Sequence, residues 1–244
     1  MTGSRPGRVW ALVAAQAARR GGRVSAADAC VAVVAAVEVT GAWLIAAGGA
    51  EADHLMWATD EVSELLAELQ LTLGEGPGPD ALAYGGPALA SDLATGDATR
   101  CWPAFAPAAV FVFPLQMGAI RVGVMGLYRE WSGPLSGSQL GDALVFADTA
   151  TLLLLEAQDR AAGEAAAGSG PGGQPAGLAV HRAEIDQATG MLTEQLGVGI
   201  AEAFLRLRAY AYAHDRRLSD LAGDIVARRL RLHPDPAPRE DGQT

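Results

Sequence analysis

Within residues 183–226, Arg206 and Tyr210 stand four apart, as do Arg208 and Tyr212, and Arg216 and Arg217 follow directly. Helical periodicity places each Arg–Tyr pair on one face. A guanidinium can pair bidentately with phosphate, and a phenol ring can stack on an unpaired base. Together they supply the chemistry of a site for looped RNA. The same arginines can instead pair with Glu194, Glu202, Asp215, Asp220 and Asp224 on a solvated face, and on charge alone the two readings stand level.

Other chemistries find less support. His54, His181, His214 and His233 are scattered without the paired spacing of a zinc site, so no metal is expected. No Gly-x-Ser-x-Gly elbow is present for a hydrolase. Gly74, Gly76 and Gly78 resemble a phosphate cradle. No Lys, Ser or Thr follows in the P-loop positions, however, and Pro77 and Pro79 remove two amide donors, which favours turn and capping roles for Glu75 and Asp80 over a ligand role. Cys101 beside Arg100 is the one candidate redox thiol, set against a quiet, partly buried cysteine. Trp43, Trp57, Trp102, Phe105, Phe111 and Phe113 cluster on expected strands and the adjoining loop. They line either a small-molecule pocket or an ordinary core. No enzyme and no cofactor is expected, beyond an unidentified small ligand at those aromatics.

Charge narrows the partner. The chain of 244 residues carries a net −10, unevenly spread. Residues 1–177 hold 9 Arg against 18 acids, a balance of −9, whereas residues 178–233 hold 8 Arg against 7 acids, a balance of +1. Only the C-terminal part does not repel phosphate on average. The apolar run Val9–Ala18 is too short to span a bilayer and lacks a small-x-small cleavage site, and the two cysteines suit a reducing compartment. A cytoplasmic protein without membrane contact is expected.

The elements that must carry these residues follow from periodicity. Arg8–Arg20 forms an opening helix, and Ser25 with Asp28 makes a capping box for a second helix reaching about Val37. Ala42–Ala47 and His54–Thr59 form a hairpin, and Asp60 caps a helix from Glu61 to Gln70. Ala109–Met117 and Val122–Arg129 alternate as two further strands, and Ser136 with Gln139 starts a helix running to about Ala162. This order implies an α+β unit, an antiparallel sheet with helices on one side. Leu140, Leu144, Ala147, Thr151 and Leu154 repeat at alternating four-three spacing, which predicts either a homodimer seam through this helix or burial within one subunit. The glycine-rich residues 163–177 form a flexible tether, and residues 234–244 a disordered tail. Between them three apolar stripes, at Ile185, Ala188, Leu192 and Leu196, at Ala203, Phe204, Leu207 and Ala211, and at Leu218, Leu221, Ala222, Ile225 and Val226, predict a three-helix bundle.

The first domain, through LTLGEGPGPDAL (71–82), SDLATGDATRCWPAF (91–105) and the strands VFVFPLQMG and IRVGVMGLY, resembles a GAF domain. That resemblance implies a five- or six-stranded antiparallel sheet, with a small-molecule pocket on the face away from the dimer helices. The cysteine common in that family between two prolines is Gly78 here, which removes thiol sensing at this position. The bundle resembles an ANTAR domain, through Ala188-Thr189-Gly190 on its first helix, Glu202, Ala203, Phe204, Leu207, Arg208, Tyr210 and Ala211 on its second, and Ala222, Ile225 and Val226 on its third. Thr189 replaces the family's usual basic residue. The resemblance implies binding to paired RNA hairpins that prevents a terminator from forming.

The expected organisation is therefore an N-terminal helix (1–23), a GAF-like sensor (24–162), the tether, an all-α ANTAR bundle (178–233) and the tail. Expected RNA contacts are Ala188, Thr189, Gly190, Arg206, Arg208, Tyr210, Tyr212, Arg216 and Arg217. The competing expectations are a DNA-binding regulator using the same helices and a GAF-type redox protein using Cys101.

Overall fold

The computed structural model describes residues 3–47, 53–93, 108–166, 176–214 and 216–233. The chain divides into two compact units, Met1–Ala179 and Val180–Thr244.

The first unit runs α1 (Arg5–Arg20), α2 (Ala26–Val37), β1 (Gly41–Ala46), β2 (His54–Ala58), α3 (Glu61–Leu73), α4 (Pro77–Tyr84), β3 (Ala88–Ala90), β4 (Ala109–Met117), β5 (Ile120–Arg129) and α5 (Gly137–Ala166). Its five strands form one sheet in the order β2-β1-β5-β4-β3, with every pairing antiparallel. Alternation along β4 sorts the core. Phe111, Phe113 and Leu115 pack with α1, α2 and α5, while Val110 and Val112 join Leu66, Ala67 and Ala81 of α3 and α4. Helices thus cover both faces, not one as the element order implied. The reason is visible in β1, which is buried along its whole length and so needs cover on each side.

Local chemistry sets the helix ends. Ser25 and Asp28 form the expected capping box on α2, and Asp60 accepts the Ser63 amide at 2.9 Å to cap α3. At α5 the Gln139 amide donates to Ser136 Oγ at 3.3 Å and the Gln139 side chain takes the Ser136 amide at 2.9 Å. Pro77 stands in the first turn of α4, where its missing amide proton costs nothing, so a stretch that reads as turn is helical.

Asp28 does more than cap. It is buried, and Arg20 at the end of α1 donates to both its oxygens at 3.1 and 2.8 Å, locking the α1–α2 corner. Burial pushes the Asp28 carboxyl up, but the Arg20 and Ser25 hydrogen bonds outweigh it and hold the group below its ordinary range. Arg129, also buried, serves a second corner. Its guanidinium donates to Glu38 O at 2.9 Å and Val37 O at 3.0 Å, satisfying carbonyls at the end of α2. Gln139 of α5 donates to the Glu38 carboxylate at 2.9 Å beside it.

The four-three seam of α5 falls mostly inside the subunit. Ala147, Thr151 and Leu154 are buried and Leu140 packs partly against the core, leaving Leu144 of that set exposed. Spacing alone cannot separate a seam facing α2 from one facing a second chain.

The second unit holds α6 (Ala176–Leu196) from Val180 onward, α7 (Ile200–Ala213) and α8 (Leu218–Val226). Leu192, Leu196, Ala203, Leu207, Ala211, Leu218, Leu221, Ala222 and Ile225 close one core, as the stripes require. Gly197 ends α6 at φ 66°, a conformation costly for other residues. Helices occupy both margins of the expected tether, since α5 reaches Ala166 and α6 starts at Ala176; residues 167–175 and the tail 234–244 lie outside the described residues.

Candidate nucleic-acid interface

The three residues expected on the first helix separate in space. Ala188 is fully buried in the bundle core, and Thr189 is buried with its hydroxyl donating to Ile185 O at 2.7 Å. Neither presents a surface to a ligand, which corrects their assignment as contacts. Ala188 belongs to the inward stripe, and Thr189 bonds back onto its own helix. Gly190 is exposed, and a Cβ built there meets nothing within 4 Å. Packing therefore does not require glycine at this position, although glycine weakens an exposed helix interior.

On α7 the arginines are held in distinct ways. Arg206 pairs with Glu202 one turn earlier at 2.9 Å. Arg208 is half-buried with its guanidinium carbon 5.8 Å from the Phe204 ring centroid, and desolvation lowers its pKa. Tyr210 stacks on His214, with centroids 3.8 Å apart and planes 13° from parallel, and Tyr212 projects with 66% of its surface exposed. The end of α7 therefore offers a prebuilt ring pair beside a free phenol. In the sequence His214 stands out only as a histidine without a metal-site spacing, although its four-residue distance from Tyr210 was legible.

Asp224 organises the other end. Arg216 in the α7–α8 turn meets its carboxylate at 2.5 Å, and Arg229 beyond α8 meets it at 2.6 Å. Hydrogen bonds from Arg216 and Arg229 hold Asp224 below the usual carboxylate range. Arg216 is thus partly neutralised by an acid eight residues away, a pairing that needs the fold to be seen. Arg217 is the N-cap residue of α8. The exit from α8 is a Schellman motif: Arg228 N donates to Ile225 O at 2.9 Å and Arg229 N to Asp224 O at 2.8 Å. Arg228 occupies the left-handed position usually given to glycine, with φ 58°.

In the first unit the expected aromatic cluster does not form one lining. Trp43 is buried on the α3–α4 side of the sheet, whereas Phe111 and Phe113 are buried on the α1–α2–α5 side, and Trp57 is half-buried against that second core. Strand alternation divides them. Trp102 and Phe105 lie outside the described residues, as does Cys101. The Trp43 indole lies against Gly126, its neighbour across the β1–β5 ladder, where a Cβ would overlap the ring, and its Nε1 is buried with no hydrogen-bond acceptor among the described residues. Gly78 donates to the Gln70 side chain at 2.6 Å, so the position that carries a cysteine in the resembling family ties α4 to α3 here. Cys30 is wholly buried, and burial followed by the nearby Asp60 charge raises its thiol pKa, which disfavours the reactive thiolate. Among the described residues no group of three metal-ligating side chains occurs, and no helix is long and apolar enough to cross a membrane.

Comparison with known proteins agrees with this two-part architecture. Residues 179–226 match the ANTAR domain family. The fold of the first unit is that of GAF domains. The GAF domain of a phosphoenolpyruvate-protein phosphotransferase from Coxiella burnetii superposes with TM-score 0.51 at 12% identity, covering 65% of this chain and 99% of that one. The GAF domain of the Acinetobacter phosphoenolpyruvate-protein phosphotransferase gives 0.50 at 11% identity, covering 65% and 97%. No curated protein matches the chain.

Proposed function

We propose that this chain is a signal-responsive antitermination regulator, cytoplasmic and without catalytic activity, whose C-terminal bundle binds paired RNA stem-loops. The observation that carries the reading is the ordered ANTAR match over 179–226 on a bundle that exposes Gly190 and Tyr212 and stacks Tyr210 on His214. Gly190 admits close approach of a nucleotide, Tyr212 and the ring pair offer stacking surfaces, and Arg206, Arg208, Arg216 and Arg217 supply cations around them. The arginines already paired with Glu202 and Asp224 exchange partners on binding, which tempers affinity.

The GAF-like unit is the sensor, its signal a small molecule of unidentified chemistry. Two chains act together: Trp10 and Leu12 of α1 and Leu144 and Leu152 of α5 are exposed apolar side chains suited to a homodimer through the helices flanking the sheet. A glycine-rich connection conveys little torque, so the signal acts by changing how often two bundles meet two hairpins at once. Sedimentation as a monomer at micromolar concentration would remove that part of the mechanism.

The deciding experiment compares binding of the full chain to an RNA of two short stem-loops, with randomised loops, and to duplex DNA at matched salt. Preference for the RNA supports the reading. Preference for the duplex favours a DNA-binding regulator and overturns it.

A further inference from the structure

We propose that Arg228–His233, which follows α8 and lies beyond the matched residues 179–226, is a phosphate-binding arm that widens the RNA interface. The inference rests on the RNA reading above and adds a contact surface to it. Three observations converge on this segment.

The first is conformational. The Schellman turn holds Arg228 in the left-handed region at φ 58°, where a Cβ is unfavourable and glycine is free of strain. The chain thus places a long cation where the backbone alone favours no side chain. The second is packing. After the turn, Leu230 and Leu232 pack against the bundle core, while Arg229, Arg231 and His233 are exposed between and beyond them. This two-residue alternation lays residues 229–233 against the bundle with the basic side chains on the exposed side.

The third is charge. Arg229 is engaged by Asp224 at 2.6 Å, which anchors the arm to α8. Arg228 and Arg231 are exposed and have no acidic partner among the described residues. Three residues apart, their Cα atoms lie within roughly 10 Å even at full extension, a span that reaches neighbouring phosphates of one strand. Arginines so placed, without an acidic partner among the described residues, match a polyanion whose charges repeat along a chain. The arm's cations therefore complement the aromatic end of α7, one supplying phosphate contacts and the other base stacking.

The test uses the full chain and the two-stem-loop RNA pool, with affinity measured from low to moderate salt. The variant Arg228→Gly/Arg231→Gln removes both charges and relieves the left-handed strain, so its melting temperature stays level or rises. Its plot of log affinity against log salt should become shallower by roughly 1.4–1.8, from about 0.7–0.9 per lost phosphate contact. Arg228→Lys/Arg231→Lys keeps the charges and should retain most of the slope. If the parent chain binds RNA and the Gly/Gln variant keeps its affinity and slope, the arm is not a phosphate contact. If the parent chain binds no RNA of this kind, the antitermination reading fails and the arm fails with it.

Discussion

Replacing Asp60 by alanine tests how the sheet domain holds its α3 cover. The carboxylate accepts four hydrogen bonds: from the Ser63 amide at 2.9 Å, Ser63 Oγ at 2.8 Å, Thr59 Oγ1 at 2.8 Å and the Tyr128 hydroxyl at 3.0 Å. Gly41 makes room for this, since a Cβ there would overlap the Asp60 and Tyr128 side chains. Losing the helix cap costs about 1 kcal/mol, and orphaning the buried Tyr128 hydroxyl costs about 1–3 kcal/mol. The single Thr59 hydroxyl proton can then turn to Ala42 O at 3.2 Å, so Thr59 adds little. The total is about 2–4 kcal/mol, or roughly 5–15 °C in melting temperature for a domain of this size. All five tryptophans precede residue 132, so intrinsic tryptophan fluorescence follows the first unit alone. Tyr128→Phe alone should cost about 0.5–1.5 kcal/mol, and the double variant should show coupling. A loss below about 1 kcal/mol for Asp60→Ala would refute the idea that this network fastens α3 to the sheet.

Burial pushes the Asp60 carboxyl up, but hydrogen bonds from Ser63, Thr59 and Tyr128 more than compensate and leave it below its ordinary value. A carboxylate lowered in the folded state gives stability that is full above the unfolded aspartate range, about pH 3.9. That stability is lost as pH falls through the lower folded value. Asp60→Asn should therefore flatten the acid limb of the tryptophan-detected stability profile and leave its neutral shape alone.

Gly126→Ala should destabilise the first unit by about 1–3 kcal/mol in the same fluorescence melt, because the added methyl overlaps the buried Trp43 ring and neither strand can yield freely. Gly190→Ala should do the opposite in the second unit. With open space around it, alanine adds up to about 1 kcal/mol of helix stability, yet RNA affinity should fall if the ligand approaches that backbone. Equal or tighter binding by Gly190→Ala would show that the RNA does not come close there.

What could be seen in the sequence was local. Capping residues such as Ser25, Asp28, Asp60, Ser136 and Gln139 announce helix starts within four residues, and all of them cap as their spacing implies. Where the physics is non-local, the sequence is silent. Arg20–Asp28 reads only as half a capping box, and Arg216–Asp224 joins two elements across a turn. The three-residue strand β3 is too short to show alternation, and α4 is disguised by Pro77 and Pro79. Ala188 satisfied both an inward stripe and an outward motif, and only packing could choose between them. The proposed RNA site was legible in its residue types but not in their states, because several of its arginines are already paired.

The corner built on Arg129 bears on how a signal could leave the sheet. Its guanidinium clasps the end of α2, and Gln139 ties the start of α5 to Glu38 at that same spot. Strand β5 and the two helices therefore share one anchor, and from there α5 stays packed on the core as far as Leu155, with Glu156 to Ala161 exposed beyond it. Thirty residues of helix extend about 45 Å. A tilt of about 5° where α5 leaves the core would carry its far end sideways by only about 1–2 Å, since about 16 Å of helix lies beyond Leu155. Any displacement of the free end of α5 must therefore act against the packed stretch behind it, and not about the Arg129 corner alone.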